Sequence, residues 1–372
     1  MRIGVNTGYW QASPPPHAQD LYTLCDTLGV DSLWTSEAYG SDALTPLAWW
    51  GARTSHIRLG TAVMQMSART PTAAAMAAIT MDHLSQGRFI MGLGASGPQV
   101  VEGWYGQPYA RPLARTREYI SIVRDVIARQ HPVEHQGHFY TLPLSPRPGS
   151  DQATTGIVGG GKPLKSTVHP LRSNLPLHLA AEGPKNIALA AELCDGWLPL
   201  FYSPKRDAEF RNYLSEGFAR RDSALSPTDA FEVSATVPVV VADDLDTALE
   251  KIRPFFALYI GGMGSQSANY HRAAVERLGY EDVCRDVTRL YQQGDKDKAA
   301  AEIPLELIDD VALVGPIPRI AAALAQWDAT AVTSLLIQGD AQAIRGVMEA
   351  TAMKTALAQT QTTPPTHGAH RQ

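Results

Sequence analysis

Cysteine is scarce in this chain: Cys25, Cys194 and Cys284 are the only three in 372 residues, and none sits in a C-x-x-C pair. An odd, widely spaced set excludes a disulfide framework and fits reduced thiols in a cytoplasm. Runs of basic charge are missing too. The net charge is −5, and the nearest approach to a basic cluster is Lys162, Lys165 and Arg172. That balance argues against a nucleic-acid partner. No apolar stretch approaches the length that crosses a membrane, and the N-terminus enters a strand-like run at 2–6 with no signal peptide. A soluble, cytoplasmic protein is expected. Familiar catalytic sets are absent as well. There is no Ser–His–Asp arrangement, no pair of carboxylates at useful spacing and no His/Cys/Asp cluster suited to a metal.

What the chain does have is a pair of apolar runs that each break into a glycine turn and restart as a helix. The first is Gly87-Arg88-Phe89-Ile90-Met91-Gly92-Leu93-Gly94-Ala95-Ser96-Gly97-Pro98-Gln99. The second is Leu175-Pro176-Leu177-His178-Leu179-Ala180-Ala181-Glu182-Gly183-Pro184-Lys185-Asn186, which opens a helical stretch at 187–193. A glycine turn lets a backbone approach a ligand, and the helix start behind it offers unpaired N–H groups to an anion. Two such turns after buried strands point to a phosphorylated cofactor lying across the ends of a parallel sheet.

Short apolar runs alternate with longer helical ones, and a hydrophobic fraction of 44% supports a sizeable core. Strands are expected at 3–6, 32–35, 57–63, 88–94, 177–180, 196–200, 231–241 and 332–338. Helices are expected at 18–28, from Pro71, at 111–128 and at 341–358. Eight strand–helix units make a (β/α)₈ barrel, a single domain over 1–358. Two stretches exceed what a minimal barrel needs: 131–174, rich in proline and glycine, and the helical 245–310. The first is expected to be an insertion or a lid, and the tail at 359–372 to be disordered.

In such barrels the active site lies at the C-terminal ends of the strands. That rule selects 7–10, Ser36 and Glu37, 64–69, 94–99 and 180–185. Only Glu37 and Glu182 bring carboxylates there, so the chemistry falls to a bound cofactor. Each candidate also has a plainer reading. Gly92-x-Gly94 serves either close packing or cofactor contact. Glu37 either caps a turn or meets a ligand, and Arg69 with Pro71 starts a helix. His178 reads as a core histidine rather than a base. Trp10, Trp49, Trp50 and Trp104 are packing aromatics, or one of Trp10 and Trp104 walls a planar ring.

The same residues resemble the luciferase-like monooxygenases, specifically their branch of oxidoreductases dependent on the deazaflavin coenzyme F420. The similar blocks are Gly8-Tyr9-Trp10; Leu33-Trp34-Thr35-Ser36-Glu37-Ala38-Tyr39-Gly40-Ser41-Asp42; Leu59-Gly60-Thr61-Ala62-Val63-Met64-Gln65-Met66-Ser67-Ala68-Arg69-Thr70-Pro71; and Gly92-Leu93-Gly94-Ala95-Ser96-Gly97-Pro98. Gly161-Lys162-Pro163-Leu164-Lys165, Gly183-Pro184-Lys185-Asn186, Asp195-Gly196-Trp197-Leu198-Pro199 and Val314-Gly315-Pro316 continue the likeness, which spans 2–350. It implies a luciferase-like TIM barrel with insertions after strands four and seven, and a non-prolyl cis peptide at Ala62-Val63 behind the deazaflavin ring. It places Glu37 at the ring and the turns Gly94-Ala95-Ser96 and Ala181-Glu182-Gly183-Pro184 at the cofactor's tail and phosphate. Trp10, Ser36 and Gln65 join the cofactor-binding set, and Lys162, Lys165 or Lys185 is expected to meet the anionic tail. Sugar-phosphate dehydrogenases of this family place a histidine where this chain has Ala38, so sugar-phosphate oxidation is not expected.

The expected function is therefore hydride transfer from reduced F420 to a C=C or C=N bond of an organic substrate, a small molecule or a modified peptide. Glu37 or Tyr39 is the expected catalytic proton donor, with water the other source. The rival on the same fold is an FMN-dependent two-component monooxygenase. The rival of another class is a non-catalytic flavin-binding barrel. A homodimer is expected, since many barrels of this family are dimers.

Overall fold

Eight parallel strands close into a ring in the computed structural model, which describes residues 1–144, 156–157, 161–264 and 269–362. In chain order they are β1 (Arg2–Asn6), β2 (Ser32–Thr35), β3 (Arg58–Thr61), β4 (Phe89–Gly94), β5 (Leu177–Ala180), β6 (Gly196–Leu198), β7 (Glu232–Val241) and β8 (Ser334–Gln338). Each pairs with its successor, except that β3 meets β4 only through Leu59 and Gly60. β8 returns to β1 with Arg2 opposite Ser334. Two short strands ride on this ring: Met64–Gln65 beside β4, and Leu313–Gly315 beside the end of β7. The expected barrel is present, and β2 and β5 have the expected bounds.

The strand expected at 57–63 is divided. Ala62 N–H donates to Thr35 O at 2.6 Å, which turns the chain inward after Thr61, and Met64–Gln65 crosses over to pair with Leu93 and Gly94. The peptide bond between Ala62 and Val63 is cis, as the resemblance implied. Two glycines make this crowding possible. A Cβ on Gly92 would lie 1.7 Å from Thr61 O, and one on Gly94 would lie 2.4 Å from Val63 Cγ2. Both glycines pack closely against the turn after β3.

Inside the ring, Trp34, Ile90, Leu198 and Leu336 form a plug, with Ala62, Val63 and Ala180 packed on it. Below it, Arg58 bridges Asp31 and Glu232 at 2.5 and 2.9 Å and closes the opposite end. The long stretch after β7 is helical, as expected: Leu245–Ala257, Tyr270–Arg277, Glu281–Gln292, Lys296–Ala301 and Leu305–Val311. These helices bury a core of their own around Phe256, Ile260, Val287 and Ile308, and Phe201 from the β6 end enters it.

The described part of 131–174 runs beside helix Pro112–Ala128 and then reaches helix Pro71–Leu84, where Arg172 pairs with Asp82 and donates to Phe89 O. Glu118 accepts the N–H groups of His138, Phe139 and Tyr140, and Val133 bridges to Leu164. Among the described residues none of these contacts carries it over the strand ends. Gly159 and Gly160 lie outside the described residues, as does most of the tail expected to be disordered. The closing helix runs Ala341–Thr362, past the expected end at 358.

Candidate active site

The end of β2 and the turn after β3 are stitched together into one rigid wall. Ser36 Oγ donates to Ala62 O at 2.6 Å, and Glu37 N–H donates to Val63 O at 3.1 Å. The Glu37 side chain is 3% exposed and receives every donor nearby. Oε1 accepts from Gln65 N–H at 2.7 Å and Arg69 Nη1 at 2.5 Å. Oε2 accepts from Ala43 N–H at 3.0 Å and Arg69 Nη2 at 3.2 Å. A bidentate guanidinium and two backbone amides fix an ionised carboxylate in one orientation. Arg69, read from the sequence as a helix starter, is the clamp on Glu37. Gln65 adds a bond from Nε2 to Glu37 O, while its Oε1 is buried with no partner among the described residues.

Trp10 packs on Trp50 with ring centroids 5.5 Å apart, and its N–H donates to Ser41 Oγ. Tyr39 is 53% exposed and stands 6.2 Å from the Tyr9 ring. Trp104 is largely exposed at the end of the short helix after β4. His178 is a core residue, as the sequence implied. It is 1% exposed, lies 5.6 Å from the Trp34 ring, and burial pushes its imidazole down to about 4.

The two glycine turns behave differently. After β4, Ala95 and Ser96 lead to Gly97, Ser96 takes a left-handed φ of 58°, and Tyr109 Oη donates to Ser96 O at 3.0 Å. After β5, Ala181 O accepts from Trp197 Nε1 at 2.7 Å, and Gly183 caps helix Pro184–Leu193. That helix begins three residues before the expected 187, because proline fits the first helical position. Nothing lies within 4 Å of where a Gly183 Cβ would be, and Lys185 is exposed beside it. Lys165 is elsewhere. Its Nζ donates to Gln130 O at 3.0 Å, past the C-terminus of helix Pro112–Ala128, where lysine favours the helix dipole.

Sequence reasoning missed the wall supplied by the insertion after β7. His271 Nδ1 lies 2.8 Å from Glu182 Oε1, and Arg277 Nη2 donates to Glu182 O at 2.5 Å. The Tyr259 ring stands 5.0 Å from His271, and its phenol is raised by burial, then by Tyr9, with the Gln338 side chain beside it. Residues from the ends of β1, β5 and β8 therefore meet around Tyr259. The one sequence signal for this wall was the excess length of 245–310. Among the described residues no group of three or more His, Cys, Asp or Glu is placed to hold a metal.

Comparison with known proteins fits this geometry. A family model for luciferase-like monooxygenases matches residues 1–334. A protein of Mycobacterium tuberculosis assigned as a coenzyme F420-dependent oxidoreductase is 52% identical over 346 residues, covering 93% of this chain and 97% of that one. The 5,10-methylenetetrahydromethanopterin reductase of Archaeoglobus fulgidus is 26% identical over 293 residues, covering 78% of this chain and 80% of its own. The coenzyme F420-dependent tetrahydromethanopterin reductase of Methanopyrus kandleri has the same fold. Its TM-score is 0.75 at 19% identity, over 94% of this chain and 98% of that one.

Proposed function

Because the chain belongs to the luciferase-like monooxygenase family, we propose that it is a coenzyme F420-dependent oxidoreductase that reduces a C=C or C=N bond of an organic substrate. The observation that carries this reading is the 52% identity to the mycobacterial F420-dependent relative, which extends over 93% of the chain.

The residues at the strand ends fit such a group. Gln65 Oε1, Gln338 Oε1 and Glu182 Oε2 are buried oxygens with no partner among the described residues, and the N–H and O–H groups of a deazaflavin are donors of the kind they need. Ala62 and Val63, with Trp10, Ser36, Glu37 and Gln65 around them, are the residues assigned to the ring. Gly94, Ala95 and Ser96 on one side, and Ala181, Glu182, Gly183, Pro184 and Lys185 on the other, are assigned to the tail. There the N-terminus of helix Pro184–Leu193, whose dipole favours an anion, opens at Gly183 with Lys185 exposed beside it. Bound in its reduced form, the deazaflavin supplies a hydride.

The protein's own part is orientation and proton supply. Glu37, placed by the sequence as a proton donor, has its carboxylate occupied by four donors, so its role is to hold the wall under the ring. Tyr39, exposed beside Tyr9, is assigned to the substrate side. The substrate is a small molecule or a modified peptide. Cys25, Cys194 and Cys284 are buried free thiols, consistent with a reducing cytoplasm, and no helix among the described residues is long and apolar enough to cross a membrane. Met76 and Leu84 lie exposed two turns apart on helix Pro71–Leu84, an apolar face suited to a homodimer.

Titrating the purified protein with F420 and separately with FMN, followed by fluorescence, tests the reading. Binding of F420 at least tenfold tighter than FMN is expected. A preference for FMN overturns the proposal in favour of the monooxygenase. Binding of neither favours a barrel without a flavin-type cofactor.

A further inference from the structure

Between β7 and β8 the chain sends helix Tyr270–Arg277 back to the turns that follow β4 and β5. Its first residue, Tyr270, stands 6.4 Å from the Tyr109 ring, and a Cβ on Gly97 would lie 3.8 Å from it. Its second residue, His271, meets Glu182 at the end of β5. We propose that His271 is the proton donor of the reduction, delivering its proton from Nε2, with Glu182 as its positioning residue. This assignment rests on the oxidoreductase reading above.

The geometry is that of a carboxylate-oriented imidazole. With Nδ1–H donating to Glu182 Oε1 at 2.8 Å, the protonated ring carries its second N–H on Nε2, for which no partner is found among the described residues. The His271 side chain is 31% exposed, which leaves the ring open to water. The rings of Tyr259 and Phe201 stand 5.0 and 6.3 Å away and limit how the imidazole can turn. The ionisable groups facing it are Glu182 from the β5 turn, Tyr259 from the insertion, and Arg277 on its own helix through Glu182 O.

Chemistry favours this group over its neighbours. Glu37 is fully occupied by donors. The phenols of Tyr9 and Tyr259 are raised above their ordinary value by burial, which makes them weaker acids. Burial works to lower the His271 imidazole, but the Glu182 carboxylate more than offsets it and holds it above its ordinary value. An imidazole held in its protonated form by a carboxylate suits general acid catalysis. The electron balance is simple. A hydride reaches one atom of the double bond, the π pair moves to the other atom, and that carbon or nitrogen takes the Nε2 proton. The double bond is reduced, the deazaflavin is oxidised, and the neutral imidazole regains a proton from solvent.

Three readouts on the full-length protein test the assignment. In histidine-labelled protein, the His271 signal is identified by its loss in His271→Gln. Its titration midpoint is expected above the ordinary value near 6.5, and about a unit lower in Glu182→Gln. An unchanged midpoint in Glu182→Gln overturns the pair. In the second readout, His271→Gln keeps its F420 affinity within about threefold. A tenfold loss makes His271 a cofactor ligand instead and overturns the proposal. The third uses reduced F420 with cyclohex-2-enone and with 1-pyrroline as probes. There kcat falls about a hundredfold in His271→Gln with little change in KM, and a kcat near that of the unmodified protein overturns the proposal. If F420 binds but neither probe is reduced by the unmodified protein, the proposed bond type fails, and the titration and affinity readouts still decide the pair. His271→Asn serves if the glutamine variant does not fold.

Discussion

Two glutamates stand at strand ends on opposite sides of the barrel mouth, and their surroundings differ in kind. Glu37, at the end of β2, meets a permanent cation and two backbone amides, and no lone acceptor site is left for a substrate. Glu182, after β5, meets an imidazole on one oxygen, while the other oxygen is buried with no partner among the described residues. A carboxylate tied to arginine cannot change its state without breaking the wall around it. A carboxylate tied to histidine can, because imidazole gains and loses a proton where guanidinium does not. The first side is built to stay fixed, and the second is built to respond.

Breaking the fixed side should have the largest effect. Arg69→Ala leaves the Glu37 carboxylate buried beside two amides with no countercharge, a change that typically costs about 3–5 kcal/mol. Chemical denaturation of the two proteins at pH 7 would measure it. A loss below about 1 kcal/mol would mean that the wall is held by packing alone, and the contrast between the two glutamates would collapse.

His178 sharpens the same contrast, since it is a histidine with no carboxylate bound to it. Burial lowers it from 6.5 to about 4, so the unfolded chain binds the proton more readily. Its contribution to stability is fully present above pH 6.5 and is lost as pH falls toward about 4. The gap corresponds to about 3 kcal/mol. Stability curves from pH 7 to pH 4 should therefore fall more steeply for the unmodified protein than for His178→Leu. Parallel curves would remove His178 from the acid limb.

A smaller effect is expected at Gly94, where a methyl would meet Val63 Cγ2 at 2.4 Å. Gly94→Ala forces Val63 to move, at a cost of about 1–3 kcal/mol. Because Val63 belongs to the proposed ring platform, F420 affinity should fall along with the melting temperature. Unchanged affinity in a folded Gly94→Ala protein would move the platform elsewhere.

The same contrast explains what could be read from the sequence. The fixed side is local: Ser36, Glu37, Ala62, Val63, Gln65 and Arg69 come from two neighbouring strands and lie within 34 positions in sequence. Patterns of apolar runs and glycines place those strands, so the wall was visible even though Arg69's role as the clamp was not. The responsive side joins residues 89 positions apart, Glu182 and His271. Nothing in the local sequence of 258–280 marks a mouth-facing histidine, and only the folded path of the insertion puts it there. The contact of Lys165 with Gln130 was likewise not legible locally, because it depends on the path of the chain back to the start of β5.

The smallest stability effect belongs to His271 itself, with a pH dependence opposite in sign to that of His178. Its imidazole stands above the ordinary value when folded, so its contribution is present below pH 6.5 and is lost as pH rises through the folded value. The side chain is 31% exposed, and solvent screening holds the pair to about 1 kcal/mol or less. His271→Gln should therefore match the unmodified protein at pH 8 and lag slightly at pH 6. A loss comparable to that of Arg69→Ala would show that Glu182 and His271 are as fixed as the opposite wall. The expected small loss, with Nε2 unpartnered among the described residues, is that of a residue held for chemistry rather than for stability.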